Sequence, residues 1–269
     1  MTSSENLGRY RRQRPSLWQL WLAMLDIWAL AAWGVLLITY WLNGKLSLLI
    51  HPNYFLLVMS TGIVLLILAA LKGFQLISQL RSRSSGPITL VPMGQHMSWF
   101  PPGWSSGLLI ITAILGLLIE PKVFTSQTAI QRGVTESLAI TRSQPQSFRS
   151  ASKPEERSLI EWIRTLNVYP EPDAYKGQKV NVQGFIVYPP NLPSQYLLIT
   201  RFVITCCAAD AYPVSLPVKL KGNRNAYKPD TWIEVQGQMI TETLNNKRQL
   251  TIEANSIKEI PEPANPYNY

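Results

Sequence analysis

The sequence has few of the residues that usually carry chemistry. It contains 2 cysteines, Cys206 and Cys207, and 2 histidines, His51 and His96, among 269 residues. Two adjacent cysteines are too few for a disulfide framework, and a bond between them would be strained and easily reduced. The sequence shows no phosphate-binding glycine loop, dinucleotide fingerprint or Ser-His-Asp set. With no histidine in the C-terminal half, acid–base catalysis has few candidates there, and we predict that the protein is not an enzyme.

Charge is also scarce, and it is unevenly distributed. Charged residues make up 15% and hydrophobic residues 46% of the chain, yet the mean hydropathy is only +0.04. The apolar residues must therefore be concentrated in parts of the sequence. Residues 1–149 carry 12 Lys/Arg and 4 Asp/Glu, whereas residues 150–269 carry 13 and 12. The positive excess thus belongs to the N-terminal half, as in the flanks of membrane helices.

Three apolar runs lie in residues 1–124, at about 17–42, 54–71 and 104–122. About 20 apolar residues in a helix cross the hydrocarbon core of a bilayer, so we predict three transmembrane helices. The third run is the shortest. The first run ends Tyr40-Trp41-Leu42-Asn43 rather than in the small residues of a cleavage site, which favours a retained helix over a signal peptide.

Basic residues predict the orientation of these helices. They precede the first run and follow the second, as Arg9, Arg11, Arg12, Arg14, Lys72, Arg81 and Arg83. Lys and Arg accumulate on the cytoplasmic side, which places the N-terminus inside and the loop 43–53 outside. A third span then carries the remaining chain outward. The sequence therefore predicts a multi-pass protein of the cell membrane with an extracytoplasmic C-terminal domain.

Beyond residue 124 the pattern changes to short alternating segments. Residues 125–153 are rich in Ser, Thr and Gln and are interpreted as a linker. Ser152-Lys153-Pro154-Glu155 has capping-box spacing and predicts a helix over about 154–166. Strands are predicted at about 179–187, 195–205, 213–220, 231–241 and 248–258. A helix followed by five short strands fits a mainly-β, OB-like five-stranded barrel over 154–260, with a flexible tail at 261–269.

The cysteines stand together at the predicted end of the second strand. Cys206 and Cys207 could bind a metal ion or act in redox chemistry, with Asp210 supplying an oxygen. Tetrahedral zinc sites usually have four Cys or His ligands, whereas two thiolates could bind Cu(I). The alternatives are that one cysteine is a small core residue while the other packs under a loop, or that the pair lies at an interface with a partner.

Four other residues are candidates for structural, interface or metal-binding roles. Arg201 and Asp210 flank the cysteines and could form an ion pair across the turn. Asp26 lies within the first apolar run, where a carboxylate indicates a helix partner or a polar pathway unless it reaches the interface. His51 and His96 could be metal ligands, but they are predicted on opposite sides of the membrane. Ordinary loop positions are the simpler interpretation of both histidines.

Aromatic and basic side chains of the C-terminal domain would also suit single-stranded nucleic acid. They are Tyr188, Tyr196, Phe202 and Trp232, with Lys219, Lys221, Arg224 and Lys228. The domain is nearly neutral and is predicted to lie outside the cell, so we expect no nucleic-acid partner.

Several segments resemble the YcgQ-like family of bacterial membrane proteins, which are described as permease subunits. They are His51-Pro52-Asn53, Glu120-Pro121, Thr128-Ala129-Ile130-Gln131-Arg132-Gly133, Arg201-Phe202-Val203-Ile204-Thr205-Cys206-Cys207-Ala208-Ala209-Asp210-Ala211 and Trp232-Ile233-Glu234-Val235-Gln236-Gly237. The resemblance implies a polytopic permease-like partner in the lipid bilayer and assigns no active-site residues.

The resemblance and the lack of catalytic groups together imply a non-enzymatic accessory subunit of a membrane permease, acting in transport. The helices would dock on the polytopic partner, and the barrel would cap or gate it outside the membrane. No cofactor is required, although a metal ion is possible. The alternative is a membrane-anchored metal- or thiol-handling protein that uses Cys206, Cys207 and Asp210.

Overall fold

The computed structural model describes residues 17–81, 101–134, 153–222 and 224–269. The chain divides into two compact units. The helical unit comprises Met1–Leu46 and Asn53–Glu120, and the β unit comprises Ser47–Pro52 and Pro121–Tyr269. Some sequence features lie outside the described residues, namely Arg9, Arg11, Arg12, Arg14, Arg83, His96 and Ser152.

The helical unit has two long apolar helices, α1 (Leu17–Leu42) and α2 (Phe55–Arg81), and a shorter one, α3 (Trp104–Leu118). The bounds of α1 are those predicted, whereas α2 continues well past the predicted end at residue 71. Both long helices have the length and composition of membrane spans, but α3 has only 15 residues. It rises about 22 Å, less than the ~30 Å of a bilayer core. The predicted count of three spans is therefore not confirmed.

Small residues allow the helices of this unit to approach one another. A Cβ atom at Gly34 would lie 2.7 Å from Cγ of Leu66, and one at Gly62 would lie 3.1 Å from Cδ1 of Ile38. The buried residues of the three helices are Ala29, Gly34, Leu36, Gly62, Ala69, Ser106 and Ala113. Close contact through Gly, Ala and Ser is typical of helices that pack in lipid.

The described residues of the β unit form two α-helices and six strands, besides short 3₁₀ turns. They are α4 (Ser126–Gln131), α5 (Leu159–Val168), β1 (Lys179–Val187), β2 (Tyr196–Val203), β3 (Tyr212–Lys219), β4 (Trp232–Leu244), β5 (Lys247–Glu259) and β6 (Tyr267–Asn268). The strands form one mixed sheet in the order β1-β4-β5-β3-β2-β6, and β1 also pairs with β2. The β3–β5 and β2–β6 pairs are parallel, and the others are antiparallel. The predicted five strands are present, and the sheet has a sixth.

The predicted capping box is in the wrong place. Pro154–Glu156 form a separate 3₁₀ turn, and α5 begins at Leu159. Ser158 Oγ accepts a hydrogen bond from Glu161 N at 3.4 Å, and Ser158 N donates to Glu161 Oε2 at 2.6 Å. The same motif therefore occurs six residues later, where the buried face of the helix starts. The position at which α5 begins is therefore determined by the apolar residues that the helix buries.

Two hydrophobic cores lie in the β unit. One packs α5 against the sheet through Leu159, Trp162 and Ile163. The other is rich in aromatic residues, namely Phe185, Phe202, Trp232 and Tyr267, and includes Ala129 and Val134. The first part of the predicted linker, residues 125–134, is therefore packed rather than loose, while residues 135–152 lie outside the described residues. The predicted flexible tail is likewise wrong at its end, because Tyr267 is buried in β6.

Candidate functional site

The two cysteines lie in a tight connection between antiparallel strands, which we call the cysteine turn (residues 204–211). β2 and β3 pair from Tyr196 opposite Lys219 to Val203 opposite Tyr212. Both ends of the turn are thus held by the sheet, and its middle is a short 3₁₀ turn, Ala208–Asp210. The turn lies at the end of a strand, as the sequence predicts.

Asp210 organises this turn through its carboxylate. Cys206 N donates to Asp210 Oδ2 at 2.9 Å, Cys207 N donates to Oδ1 at 3.2 Å, and the Thr205 hydroxyl also donates to Oδ2. Burial by itself raises the pKa of Asp210, but the hydrogen bonds from Thr205, Cys206 and Cys207 outweigh it and lower the pKa to about 2. Asp210 is therefore an anion at neutral pH, and its carboxylate stabilises the turn by accepting these hydrogen bonds.

The two sulfur atoms face each other above this carboxylate. Cys206 Sγ and Cys207 Sγ are 3.7 Å apart, and both thiols are free, with Cys206 exposed and Cys207 half-buried. Hydrogen bonds to Asp210 and to Cys207 raise the pKa of Cys206 to about 11. Because the thiolate is the nucleophile in cysteine chemistry, Cys206 is a weak nucleophile at neutral pH.

A distant segment of the chain pairs with the cysteine turn. This pairing loop, residues 47–52, is part of the β unit. His51 N donates to Cys206 O at 3.0 Å, and Ala208 N donates to Leu49 O at 2.7 Å. Ile50 forms an antiparallel bridge with Cys207. This pairing could not be predicted from the sequence, since the two segments are separated by about 150 residues and neither is a regular strand.

Tyr269 holds the pairing loop at a second point. Its hydroxyl donates to Ser47 O at 2.8 Å, and its ring packs edge-on against that of His51 with 5.2 Å between centroids. His51 is thus brought beside the cysteine turn through its backbone. The three side chains that converge on one point are Cys206, Cys207 and Asp210, whose ligand atoms all lie within 4.8 Å of one another.

The predicted ion pair between Arg201 and Asp210 is wrong. Arg201 donates to Asn265 O at 2.8 Å and lies 5.5 Å from the ring centroid of Trp232. Burial lowers the pKa of Arg201. The two charges separate because Asp210 turns back onto the cysteine amides instead of reaching towards β2. Sequence reasoning missed Arg132, which contacts the turn by donating to Ala208 O and Ala211 O.

Asp26 belongs to the helical unit, where it has a partner on another helix. The hydroxyl of Ser106, in α3, donates a hydrogen bond to Asp26 Oδ1. Of the interpretations left open for this carboxylate, the contact matches a partner helix of the same chain. His96, the other predicted candidate in this half, is outside the described residues.

The aromatic side chains considered for base stacking have other contacts. Phe202, Trp232 and Tyr196 are buried, and the Tyr188 hydroxyl donates to Arg224 O and Tyr227 O. Among the basic residues, Lys219 forms an ion pair with Glu242 and Lys221 donates to Asn255 Oδ1. Three of the four rings are therefore buried, and the guanidinium of Arg224 lies over the ring of Tyr188, 5.2 Å from its centroid.

Two comparisons with known proteins found similarity to part of this chain. Residues 154–269 match the family described as DUF1980 C-terminal domain. The chain is 30% identical over 105 residues to a protein of Streptococcus mutans serotype c named "Putative two-component membrane permease complex subunit". The match covers 38% of this chain and 37% of that relative. The resemblance to a permease-subunit family is confirmed.

Proposed function

We propose that this protein is a non-enzymatic accessory subunit of a membrane permease. In this proposal its helices dock on a polytopic partner, and the β unit caps or gates that partner outside the membrane. Support comes from the relative named as a permease complex subunit and from two helices with the length and composition of membrane spans.

The pairing loop is the observation that carries this proposal. Residues 47–52 connect α1 to α2 in the chain, and the same residues pair with the cysteine turn of the β unit. If α1 and α2 are spans, the loop between them emerges on one side of the membrane. In this proposal the β unit, whose backbone pairs with that loop, lies on the same side of the membrane. The basic residues in the C-terminal half of α2, Lys72 and Arg81, favour the outer side for the loop.

We further propose that the sheet is an OB-like barrel. β1 pairs with β4 through residues 179–185 and with β2 through residues 185–187. The parallel contact of β3 with β5 joins the other ends of these strand pairs. The pairings connect five strands in a ring, which is the strand arrangement of a small OB-type barrel. Such a domain offers rigid loops for contact with a partner without needing catalytic residues of its own.

Affinity purification from native membranes tests the proposed function. The full chain, tagged at one end, would be solubilised in a mild detergent and its stoichiometric partners identified by mass spectrometry. We expect a polytopic membrane protein at about equal molar amount, and we expect that tagging this partner recovers the chain in return. A chain that purifies alone from native membranes, with its helices intact, contradicts the proposal.

A further inference from the structure

The cysteine turn has the spacing of a tetrahedral cation site. Cys206 Sγ and Cys207 Sγ are 3.7 Å apart. Two metal–sulfur bonds of about 2.3 Å that span this distance enclose an angle of about 107°, close to tetrahedral. A linear two-coordinate ion with the same bond length would need sulfur atoms about 4.6 Å apart. The observed spacing therefore fits a tetrahedral ion better than linearly bound Cu(I).

We propose that Cys206, Cys207 and Asp210 form a binding site for a thiolate-preferring divalent cation of the Zn²⁺ class. Their ligand atoms lie within 4.8 Å of one another, and an ion held about 2.3 Å from sulfur and about 2.1 Å from oxygen would draw the carboxylate oxygen to within about 4.4 Å of each sulfur. The fourth position would be open to water or to another ligand, as in zinc sites with three protein ligands. This proposal stands independently of the permease proposal.

The surroundings of the three ligands favour an ion. Cys206 is exposed, so an ion can enter from solvent. Asp210 Oδ1 accepts one hydrogen bond, from Cys207 N at 3.2 Å, and a carboxylate oxygen has a second lone pair to offer. The amides that hold Asp210 orient it much as second-shell groups orient the carboxylates of known metal sites.

The charge at the site points the same way. The carboxylate of Asp210 places a negative charge beside the two sulfur atoms, and this charge favours a cation at the same place. On binding, the ion takes the place of the two thiol protons, which are released to solvent, and two metal–sulfur bonds form. Neither sulfur is oxidised. The paired strands β2 and β3 and the pairing loop hold the backbone of the ligands in position before the ion arrives.

Competition titration of the full-length protein tests this site. The protein would be purified in detergent, kept reduced, stripped with a chelator and titrated with Zn²⁺ against a chromophoric chelator. We expect one ion per chain, with affinity about 100-fold lower in Cys206→Ser and Cys207→Ser and about 10-fold lower in Asp210→Asn. Asp230→Asn is the matched control, because Asp230 also holds a backbone amide by its carboxylate but lies away from the cysteines in sequence. It should bind Zn²⁺ like the wild type.

Cobalt substitution gives a second readout that does not depend on the variants folding. Co²⁺ bound to the wild-type protein should show thiolate-to-metal charge-transfer absorption and the intense visible bands of a tetrahedral ion. The proposal fails if the spectrum is that of octahedral Co²⁺ without sulfur ligands. It also fails if a Cys206→Ser/Cys207→Ser double variant binds Zn²⁺ with unchanged affinity. Because the readout is metal content and spectrum, this failure is separate from the recovery of a permease partner.

Discussion

The helical unit and the β unit bury opposite kinds of side chain. In the helices the large apolar residues point outward, as at Trp28 (66% exposed), Leu56 (71%) and Leu118 (73%), while small residues fill the contacts. In the β unit the largest fully buried side chains are Trp162, Tyr267 and Phe202. The β unit follows the rule for water, where burying apolar surface stabilises a fold by about 25 cal/mol per Å². The helices pack as helices do in lipid, where association depends on close van der Waals contact because burying apolar surface brings no hydrophobic gain.

The contrast predicts that removing a large apolar side chain affects the stability of the two units differently. Removing a large side chain should harm the β unit and hardly affect the helical unit. Adding a side chain where a glycine packs should harm the helical unit. The following predictions test this difference, in order of decreasing expected effect.

Phe202→Ala should have the largest effect. Phe202 is fully buried among the rings of Phe124, Phe185 and Tyr267, and its loss should cost about 3–5 kcal/mol in the free energy of unfolding. Leu56→Ala, at a side chain that is 71% exposed, should change the stability little in detergent or lipid. Thermal unfolding followed by tryptophan fluorescence measures both. Equal destabilisation by the two substitutions would contradict the proposed difference between the two units.

Gly34→Val should weaken the packing of α1 against α2. A Cβ at Gly34 would lie 2.7 Å from Cγ of Leu66, which forces the helices apart at a cost of about 1–3 kcal/mol. Gly73→Ala is the control within the same unit, because a Cβ there would meet no atom within 4 Å. The variants can be compared by thermal unfolding in the same detergent. If Gly34→Val is as stable as Gly73→Ala, small-residue packing does not hold this unit together.

Ala208→Pro should loosen the pairing loop. Ala208 N donates to Leu49 O at 2.7 Å, and proline removes this donor at a cost of about 0.5–1.5 kcal/mol. Residue 208 is the first of a 3₁₀ turn after the extended Cys207, where proline fits the backbone. Hydrogen exchange should therefore rise at residues 49–51 in Ala208→Pro. It should stay near the wild-type rate in Ala208→Gly, which keeps the N–H, and equal protection in both variants would argue against the pairing.

Arg248→Gln should have the smallest effect. The hydrogen bond from Arg248 lowers the pKa of Asp173 below its ordinary value of 3.8, so the ionised pair stabilises the fold above that pH and loses its effect as the pH falls below it. Both side chains are exposed, and such pairs contribute little. The melting temperatures of the variant and the wild type should differ slightly at pH 7 and should converge in acid and in about 1 M salt. A difference in melting temperature that grows as the pH falls would contradict this prediction.

Local features of both units could be predicted from the sequence. The bounds of α1 and the positions of five strands follow from apolar runs and from alternation, which act over a few residues. The capping motif was ambiguous, because Ser152/Glu155 and Ser158/Glu161 have the same spacing. Burial of Leu159 and its neighbours decides in favour of the second. Tertiary packing therefore corrected the local prediction.

Features that depend on distant segments could not be predicted. β6 is two residues long and pairs with β2, and the pairing loop contacts a turn about 150 residues away. Neither has a periodic pattern of its own. The cysteine turn could be predicted only in part. Its residues are conspicuous in the sequence, but their arrangement is not. The role of Asp210 as a cap depends on the fold of the turn, which places its carboxylate against three donors.

The central claim is that the β unit lies outside the cytoplasm, on the same side as the loop between α1 and α2. The native thiols test it directly, because Cys206 and Cys207 are the only cysteines in the chain and Cys206 is exposed. Right-side-out and inverted membrane vesicles would be treated with a chelator and then with a membrane-impermeant maleimide at mildly alkaline pH, using detergent-opened vesicles as the fully labelled reference and Cys206→Ser/Cys207→Ser as the unlabelled control. We predict labelling of right-side-out vesicles and protection in inverted ones. The reverse pattern would place the β unit in the cytoplasm and contradict the account.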